Sequence, residues 1–302
     1  MFRYNPSPRA GAARVRLPRL AAAVVAAFFS QTTPAEVAAA VAGQAGQRVP
    51  LVGVHNLRDL GGYRNADGRQ LRAGLLFRAG ELSGANAADR ARLEALGIRH
   101  ICDFRSDQER AQAPDPQLPG WRFDQRCHSV KVAGAGDERF AELMKARQAG
   151  RDIDWAGLLT QFYGVMPDQF AGQYRALFEQ LVDRPGEPLL FHCTAGKDRT
   201  GIAAALVLLA LDVPETTVMQ DYLLSNRYVS KSTAVPAGLP ADLRDIPALA
   251  QVRREYLQAA LDGIRVRYGS VDAYLEQALG LNAERRARLR ANLLEPAATP
   301  AG

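Results

Sequence analysis

The sequence predicts an α/β protein with a central, mostly parallel sheet, flanked by helices and followed by a helical C-terminal part. Two observations carry this. Short apolar runs alternate with stretches of helical periodicity between about residues 50 and 211. Those runs are too continuous for a sheet with one wet face, as expected of strands covered on both sides. No linker-like stretch divides the chain beyond residue 48. One domain is therefore expected over 49–296, with 1–48 as a leader or disordered tail and 297–302 as a second tail.

The elements follow in order. Val52–Asn56 reads as a short strand, and Gly61-Gly62 after it as a turn. Leu75–Arg78 is a second short apolar run. Ala87–Leu96 has helical spacing, with Gly97 placed to end it. Ile98–Phe104 reads as a buried strand, residues 110–120 as a Pro-rich loop and Trp121–Cys127 as a weaker strand. Leu158–Val182 is a long helical region, expected to be broken near Pro167. Pro188–His192 is a wholly apolar strand, and Ile202–Leu211 an almost unbroken apolar helix. From Glu215 onward the pattern is helical.

Composition narrows the class. The chain has 302 residues, 47% hydrophobic and 23% charged, with three Cys. That excludes a collagen-like chain, a mostly disordered one and a disulfide-dense mini-protein. No apolar run approaches the roughly 20 residues of a membrane span. The formal charge is +6. Five of those charges are Arg3, Arg9, Arg14, Arg16 and Arg19, in a segment without acids, which leaves residues 36–302 at +1. Leu20–Phe29 is an apolar run after them, with small-residue sites at Ala38–Ala40 and Ala40–Ala42. This outlines an export signal with a long basic region and distant cleavage sites. A periplasmic or secreted protein is expected if the leader is a signal, and a cytoplasmic one otherwise.

The chemistry is concentrated in Phe191–Gly201, FHCTAGKDRTG. A strand runs into Cys193, and a helix begins near Arg199. Gly196 between them permits tight backbone geometry. Strand, short loop and helix N-terminus form an anion site, because successive N–H groups converge and the helix dipole adds positive potential. The amides of Thr194, Ala195, Gly196 and Lys197 are the expected cradle. A free thiol is only a few per cent thiolate at neutral pH, and this setting favours the thiolate of Cys193. Arg199 offers a planar fork to two phosphoryl oxygens. Thr200 is expected to donate to the thiolate, and His192 to orient the loop. These residues suit a nucleophilic phosphatase that passes through a phosphocysteine. The loop amides and Arg199 neutralise charge, so neither metal nor cofactor is expected.

On these residues the chain resembles the Cys-x5-Arg protein tyrosine phosphatases. More closely, it looks like the bacterial secreted tyrosine and lipid phosphatases of the mycobacterial type, whose loop reads HC-x-A-G-K-D-R-T-G. The likeness runs over about residues 50–295 through NLRD (Asn56–Asp59), LFRAGELS (Leu76–Ser83), DFRS (Asp103–Ser106), DYLLSN (Asp221–Asn226), EYLQAAL (Glu255–Leu261) and YGSVDAYL (Tyr268–Leu275). It implies the Cys-x5-Arg phosphatase fold and activity on phosphotyrosine, sometimes phosphoserine or phosphothreonine, and phosphoinositides. It also implies that the general acid is Asp198 and that mobile helices stand over the site within 215–252.

Alternatives remain at several positions. Asp103, Asp59 or Asp168, the last in a W-P-D-like Met166-Pro167-Asp168, compete with Asp198 as the acid. Lys197 is either a contact for a multiply phosphorylated headgroup or a solvated loop-edge cation. Residues 215–252 are a lid or a plain connector. Arg58, Asp59, Asp103 and Arg105 wall the pocket or brace the loop. Cys102 reads as an inert core thiol before a redox partner of Cys193, and Cys127 is similarly open; a disulfide between these two is compatible with export, but spacing does not show it. His55, His100 and His128 lack metal-ligand spacing. The expected partner is a phosphorylated protein or a phosphoinositide, with no nucleic acid and no stable membrane span. Competing functions are a rhodanese or arsenate-reductase-like thiol enzyme, which the Lys197–Gly201 continuation and the flanking blocks disfavour, and a catalytically dead phosphate-binding module, which the presence of Cys193, Asp198, Arg199 and Thr200 together disfavours.

Overall fold

The computed structural model describes residues 45–128, 138–229, 243 and 245–296. Among them are five strands: β1 (Arg58–Asp59), β2 (Leu76–Ala79), β3 (His100–Asp103), β4 (Arg122–Phe123) and β5 (Leu189–His192). They form one sheet in the order β1-β2-β5-β3-β4, parallel throughout except for the β1–β2 pair. This is the expected mostly parallel sheet. Eleven helices accompany it among the described residues: α1 (Ala87–Ala95), α2 (Asp107–Gln112), α3 (Glu138–Gln148), α4 (Trp155–Gln169), α5 (Ala171–Asp183), α6 (Arg199–Ala210), α7 (Glu215–Tyr228), α8 (Pro247–Ala250), α9 (Arg254–Tyr268), α10 (Val271–Gln277) and α11 (Ala283–Leu293). None is long and apolar enough to cross a membrane.

Alternation along each strand sends side chains to two cores. Leu76, Cys102, Leu189 and Phe191 join the larger cluster with residues of α4 to α7 and α9 to α11. Phe77, Ala79, Ile101 and Leu190 join a smaller one with Leu93 of α1 and Leu57. The central strand β5 is buried at every position, so it carries no polar alternation to read. Eleven of the twelve residues of α6 are buried. An apolar helix directly behind the central strand holds the intervening loop between two buried elements.

Several expected boundaries move. Val52–Asn56 is not a strand. Val52 and Gly53 instead give their N–H groups to the Asp89 carboxylate in the first turn of α1, and Asn56 turns at φ 60°. The pairing passes to Arg58–Asp59. Pro167 lies inside α4 and does not break it; the chain redirects at Phe170, with φ −109° and ψ 14°, between α4 and α5. Trp121–Cys127 shortens to β4 and a 3-10 turn over Gln125–Cys127. Ser106 and Glu109 form a capping box that starts α2, which takes residues 110–112 out of the expected Pro-rich loop. Residues 45–48, assigned by sequence to the leader, pack on the domain: Gln47 accepts from the Asp59 amide and Arg48 bridges Arg58. The rest of the expected leader (1–44), the tail from 297 and residues 230–242 of the expected lid lie outside the described residues.

Cys102 is not an inert thiol. It is bonded to Cys127, tying β3 to the turn after β4, and Cys193 is a free cysteine. Closing a loop of this span, 25 residues in sequence separation, contributes about 3–4 kcal/mol in the chain-entropy model.

Candidate active site

The loop leaves the C-terminal end of β5 at Cys193 and enters α6 at Arg199. Gly196 has φ 67°, and a Cβ there would meet the Ala79 carbonyl oxygen at 2.2 Å. No other residue fits, so the glycine lets the loop lie directly on the end of β2. The loop carbonyls are held from outside. The Gly196 oxygen accepts from Arg78 Nη2 and Asn56 Nδ2, both at 2.8 Å, and the Ala195 oxygen accepts from Asn56 at 3.3 Å. A trans peptide points its N–H away from its C=O, so tying these carbonyls outward turns the Gly196 and Lys197 amides toward the loop interior.

Beneath the loop lies a sealed ionic floor. Asp221 of α7 accepts from Arg58 at 3.3 Å, from Arg78 at 2.6 Å and from the Tyr63 hydroxyl at 3.0 Å. Two guanidiniums face one carboxylate, and all three side chains are at most 2% exposed. Burial, then repulsion from Arg58, lowers the Arg78 pKa to about 10. The floor keeps one uncompensated positive charge under an anion loop.

A second brace stands behind His192. Its Nε2 lies 3.0 Å from Asp115 and 3.8 Å from Asp103. Burial acts against its charge, but Asp103 and Asp115 outweigh it and raise its pKa. Arg105 holds both carboxylates, at 2.9 Å and 2.8 Å. Despite burial, Asp103 is lowered to about 2 by His192 and Arg105. Asp103, Asp115 and His192 have ligand atoms within 4.8 Å of one another, a spacing that suits a metal. The Arg105 guanidinium already occupies the cation's place, so the group fits an ion-pair brace and not a metal centre.

The mouth is formed by Cys193, Arg199, Thr194 and Glu109. Arg199 donates through Nη1 to the Phe104 carbonyl at 3.0 Å and to Glu109 at 2.8 Å, and through Nη2 to Glu109 at 2.6 Å. The Thr194 hydroxyl donates to the same carboxylate at 2.6 Å. Burial opposes the charges of both partners. Their bidentate pairing wins, holding Arg199 above the ordinary guanidinium value and Glu109 down at about 2. Thr200 is buried, and its hydroxyl finds no hydrogen-bond partner, so the expected bond to the Cys193 sulfur is not made here. Lys197 is no solvated loop-edge cation. It is 4% exposed, donates to the Leu249 carbonyl of α8 and stands 3.8 Å from Asp198. Asp198 is partly exposed and accepts from the Tyr163 hydroxyl at 2.5 Å.

The structure therefore gathers Cys193 to Thr200 with His192, and places Arg58, Asp103 and Arg105 as braces. It sets Asp59 and Asp168 apart. Asp59 accepts from the Gly61 and Gly74 amides and holds a turn. Asp168 is inside α4 and engages Tyr268 and Arg267. Residue-by-residue reading did not single out Asn56, Arg78, Glu109, Asp115, Tyr163 or Asp221. For Asn56, Arg78 and Asp221 the available signal was membership in the NLRD, LFRAGELS and DYLLSN blocks. The Ser106–Glu109 capping-box spacing was the trace of Glu109.

A parallel sheet whose central strand delivers a cysteine into an anion loop closed by a helix-borne arginine defines a cysteine-dependent phosphatase. The match to the tyrosine phosphatase family runs over residues 49–295, and the chain belongs to that family. It is 37% identical over 250 residues to a Cupriavidus necator protein named as a tyrosine-protein phosphatase, covering 80% of this chain and 86% of that one. It is 32% identical over 281 residues to the triple specificity protein phosphatase PtpB of Mycobacterium tuberculosis, covering 81% of this chain and 98% of the relative. A tyrosine-protein phosphatase of Nostoc commune is 28% identical over 230 residues, covering 73% and 74%.

Proposed function

We propose that the domain, taken as residues 49–296, hydrolyses phosphotyrosine through a phosphocysteine. The single observation that carries this is the free, buried Cys193 at the start of a loop closed by Arg199. The Cys193 thiolate attacks phosphorus, a sulfur–phosphorus bond forms and the ester oxygen leaves. Arg199 and the inward amides balance charge on the equatorial oxygens, which is where such donors accelerate most. Asp198 protonates the leaving oxygen; its partly exposed position beside the loop suits that role, and Asp59 and Asp168 are too engaged elsewhere to compete. Water then cleaves the phosphocysteine. The neutral Thr200 hydroxyl, lacking a partner in the free enzyme, is available to the thiolate or to the phosphorylated sulfur.

Turnover of para-nitrophenyl phosphate in EDTA, with Cys193→Ser as control, tests the mechanism. Activity that survives Cys193→Ser rejects it. A broader range including phosphoserine, phosphothreonine and phosphoinositides is supported by Lys197, a buried cation beside the mouth, and by the relative named for triple specificity. Lys197→Ala should lower phosphoinositide turnover more than phosphotyrosine turnover; equal losses assign Lys197 to packing against α8. The Cys102–Cys127 disulfide supports residence in an oxidising compartment, periplasmic or extracellular. N-terminal sequencing of protein recovered from cells tests export.

A further inference from the structure

Asp198 is the N-cap residue of α6, yet its carboxylate makes no capping hydrogen bond. An aspartate in that place ordinarily accepts from an amide of the helix's first turn. Here the carboxylate is diverted to the Tyr163 hydroxyl, and Tyr163 in turn accepts from the Tyr222 hydroxyl at 2.9 Å. Both tyrosines are essentially buried, at 0% and 1% exposure. Phenylalanine would fill the same space without the cost of desolvating two phenols.

Two close approaches of backbone put these rings where they are. A Cβ on Gly201, in the first turn of α6, would stand 2.9 Å from the Tyr222 ring. A Cβ on Gly263 of α9 would stand 2.1 Å from the Gly164 carbonyl, so α4 and α9 touch beside Tyr163. The Tyr163 ring lies 5.2 Å from the Tyr256 ring at 32° and 6.4 Å from the Tyr222 ring at 76°. Tyr163 is thus fixed by α4, α7 and α9, none of which carries the loop.

We propose that Tyr163, held by Tyr222, is a positioning residue that aims the Asp198 carboxyl and decides which of its oxygens carries the transferable proton. The inference rests on the reading of Asp198 as the general acid. An ionised carboxylate only accepts, so Tyr163 donates to Oδ1. With Oδ1 accepting that bond, the proton of the neutral acid sits on Oδ2, the oxygen on the Lys197 side. During the reaction the Oδ2–H bond breaks, the proton passes to the leaving oxygen and the electron pair stays on Asp198. The Tyr163 bond to Oδ1 persists through the step. Burial and the nearby Asp198 charge hold Tyr163 well above the ordinary phenol range, so it remains a donor at any working pH.

The test compares phenyl phosphate, whose leaving group needs a proton, with 2,4-dinitrophenyl phosphate, whose leaving group does not. The ratio of their kcat/KM values within one protein cancels the fraction that is folded. Asp198→Asn should lower this ratio by about a hundredfold, in the range for a general acid, and Tyr163→Phe by about tenfold. Asp198→Asn combined with Tyr163→Phe should be no lower than Asp198→Asn alone, because the tyrosine acts only through the acid. Tyr222→Phe, which removes a hydroxyl that does not touch Asp198, should lower the ratio about two- to fivefold, as one neutral hydrogen bond does. An unchanged ratio in Tyr163→Phe beside a reduced one in Asp198→Asn overturns the positioning role and leaves the acid in place. A ratio unchanged in Asp198→Asn overturns the acid and the positioning role with it. A double variant that falls multiplicatively below Asp198→Asn places the tyrosine's effect elsewhere and also overturns the proposal. If Tyr163→Phe does not fold, Tyr222→Phe decides by the same ratio: a fall supports the chain of hydroxyls, and no change overturns it.

Discussion

Two arginine–carboxylate clusters flank the same loop and differ in balance and access. At the mouth, Arg199 meets Glu109 one to one, with side chains 8% and 17% exposed. In the floor, Arg58 and Arg78 share Asp221, and the three side chains are at most 2% exposed. The mouth pair is neutral and reachable, so an incoming phosphoryl dianion finds a guanidinium already oriented by its partner. The floor is sealed and carries excess positive charge, so it acts on the site only through the loop carbonyls it holds and through its field. Access, more than charge, separates the group assigned to substrate from the groups that shape the loop.

The largest effect expected from this contrast is on the floor. Asp221→Asn leaves two buried guanidiniums without their anion and should cost about 3–5 kcal/mol of stability, read by denaturant unfolding. A variant of normal stability with lost turnover would break the division. Arg199→Lys should do the reverse. A single ammonium does not reproduce the bidentate fork, so kcat should fall about a hundredfold or more, while the unfolding midpoint falls by less than in Asp221→Asn because a lysine can still pair with Glu109. Glu109 sharpens the comparison through pH. Its pKa is depressed to about 2, so its pairing stabilises the fold fully above the ordinary carboxylate value. That contribution should disappear as pH falls through the depressed value, and Glu109→Gln should flatten this part of an acid unfolding curve. The smallest expected effect belongs to His192, whose pKa is raised. Its ion pairs are complete below the ordinary imidazole value and are lost as pH rises through the raised one. The melting temperature of the parent should therefore slope downward across that window, and His192→Gln should remove the slope.

Legibility followed chain distance. Cys193 to Thr200 stand together in sequence, and a strand before them with a helix after them is enough to read an anion loop. Asp198 was named as an acid, but its diversion from the cap of α6 to Tyr163 depends on a residue 35 positions away. Val52–Asn56 failed as a strand because its amides are taken by Asp89, 36 or 37 positions on. The break expected near Pro167 falls three residues on, at Phe170, because α4 accommodates the proline internally. Cys102 read as an inert thiol because it lies in a buried strand, and nothing local reveals that Cys127 returns to within a 5.3 Å Cα separation.

By itself the sequence determined the class of sheet, the cysteine and arginine of the loop and the local origin of its attraction for anions, since these depend on neighbouring residues and on periodicity. The tertiary structure alone decided which carboxylates pair with which guanidiniums, that Lys197 is buried against α8 and that Tyr163, held by Tyr222, reaches Asp198. Those contacts join elements far apart in the chain. Their energies come from burial, which strengthens each pairing and makes every unpaired group costly, and burial exists only once the helices have packed on the sheet.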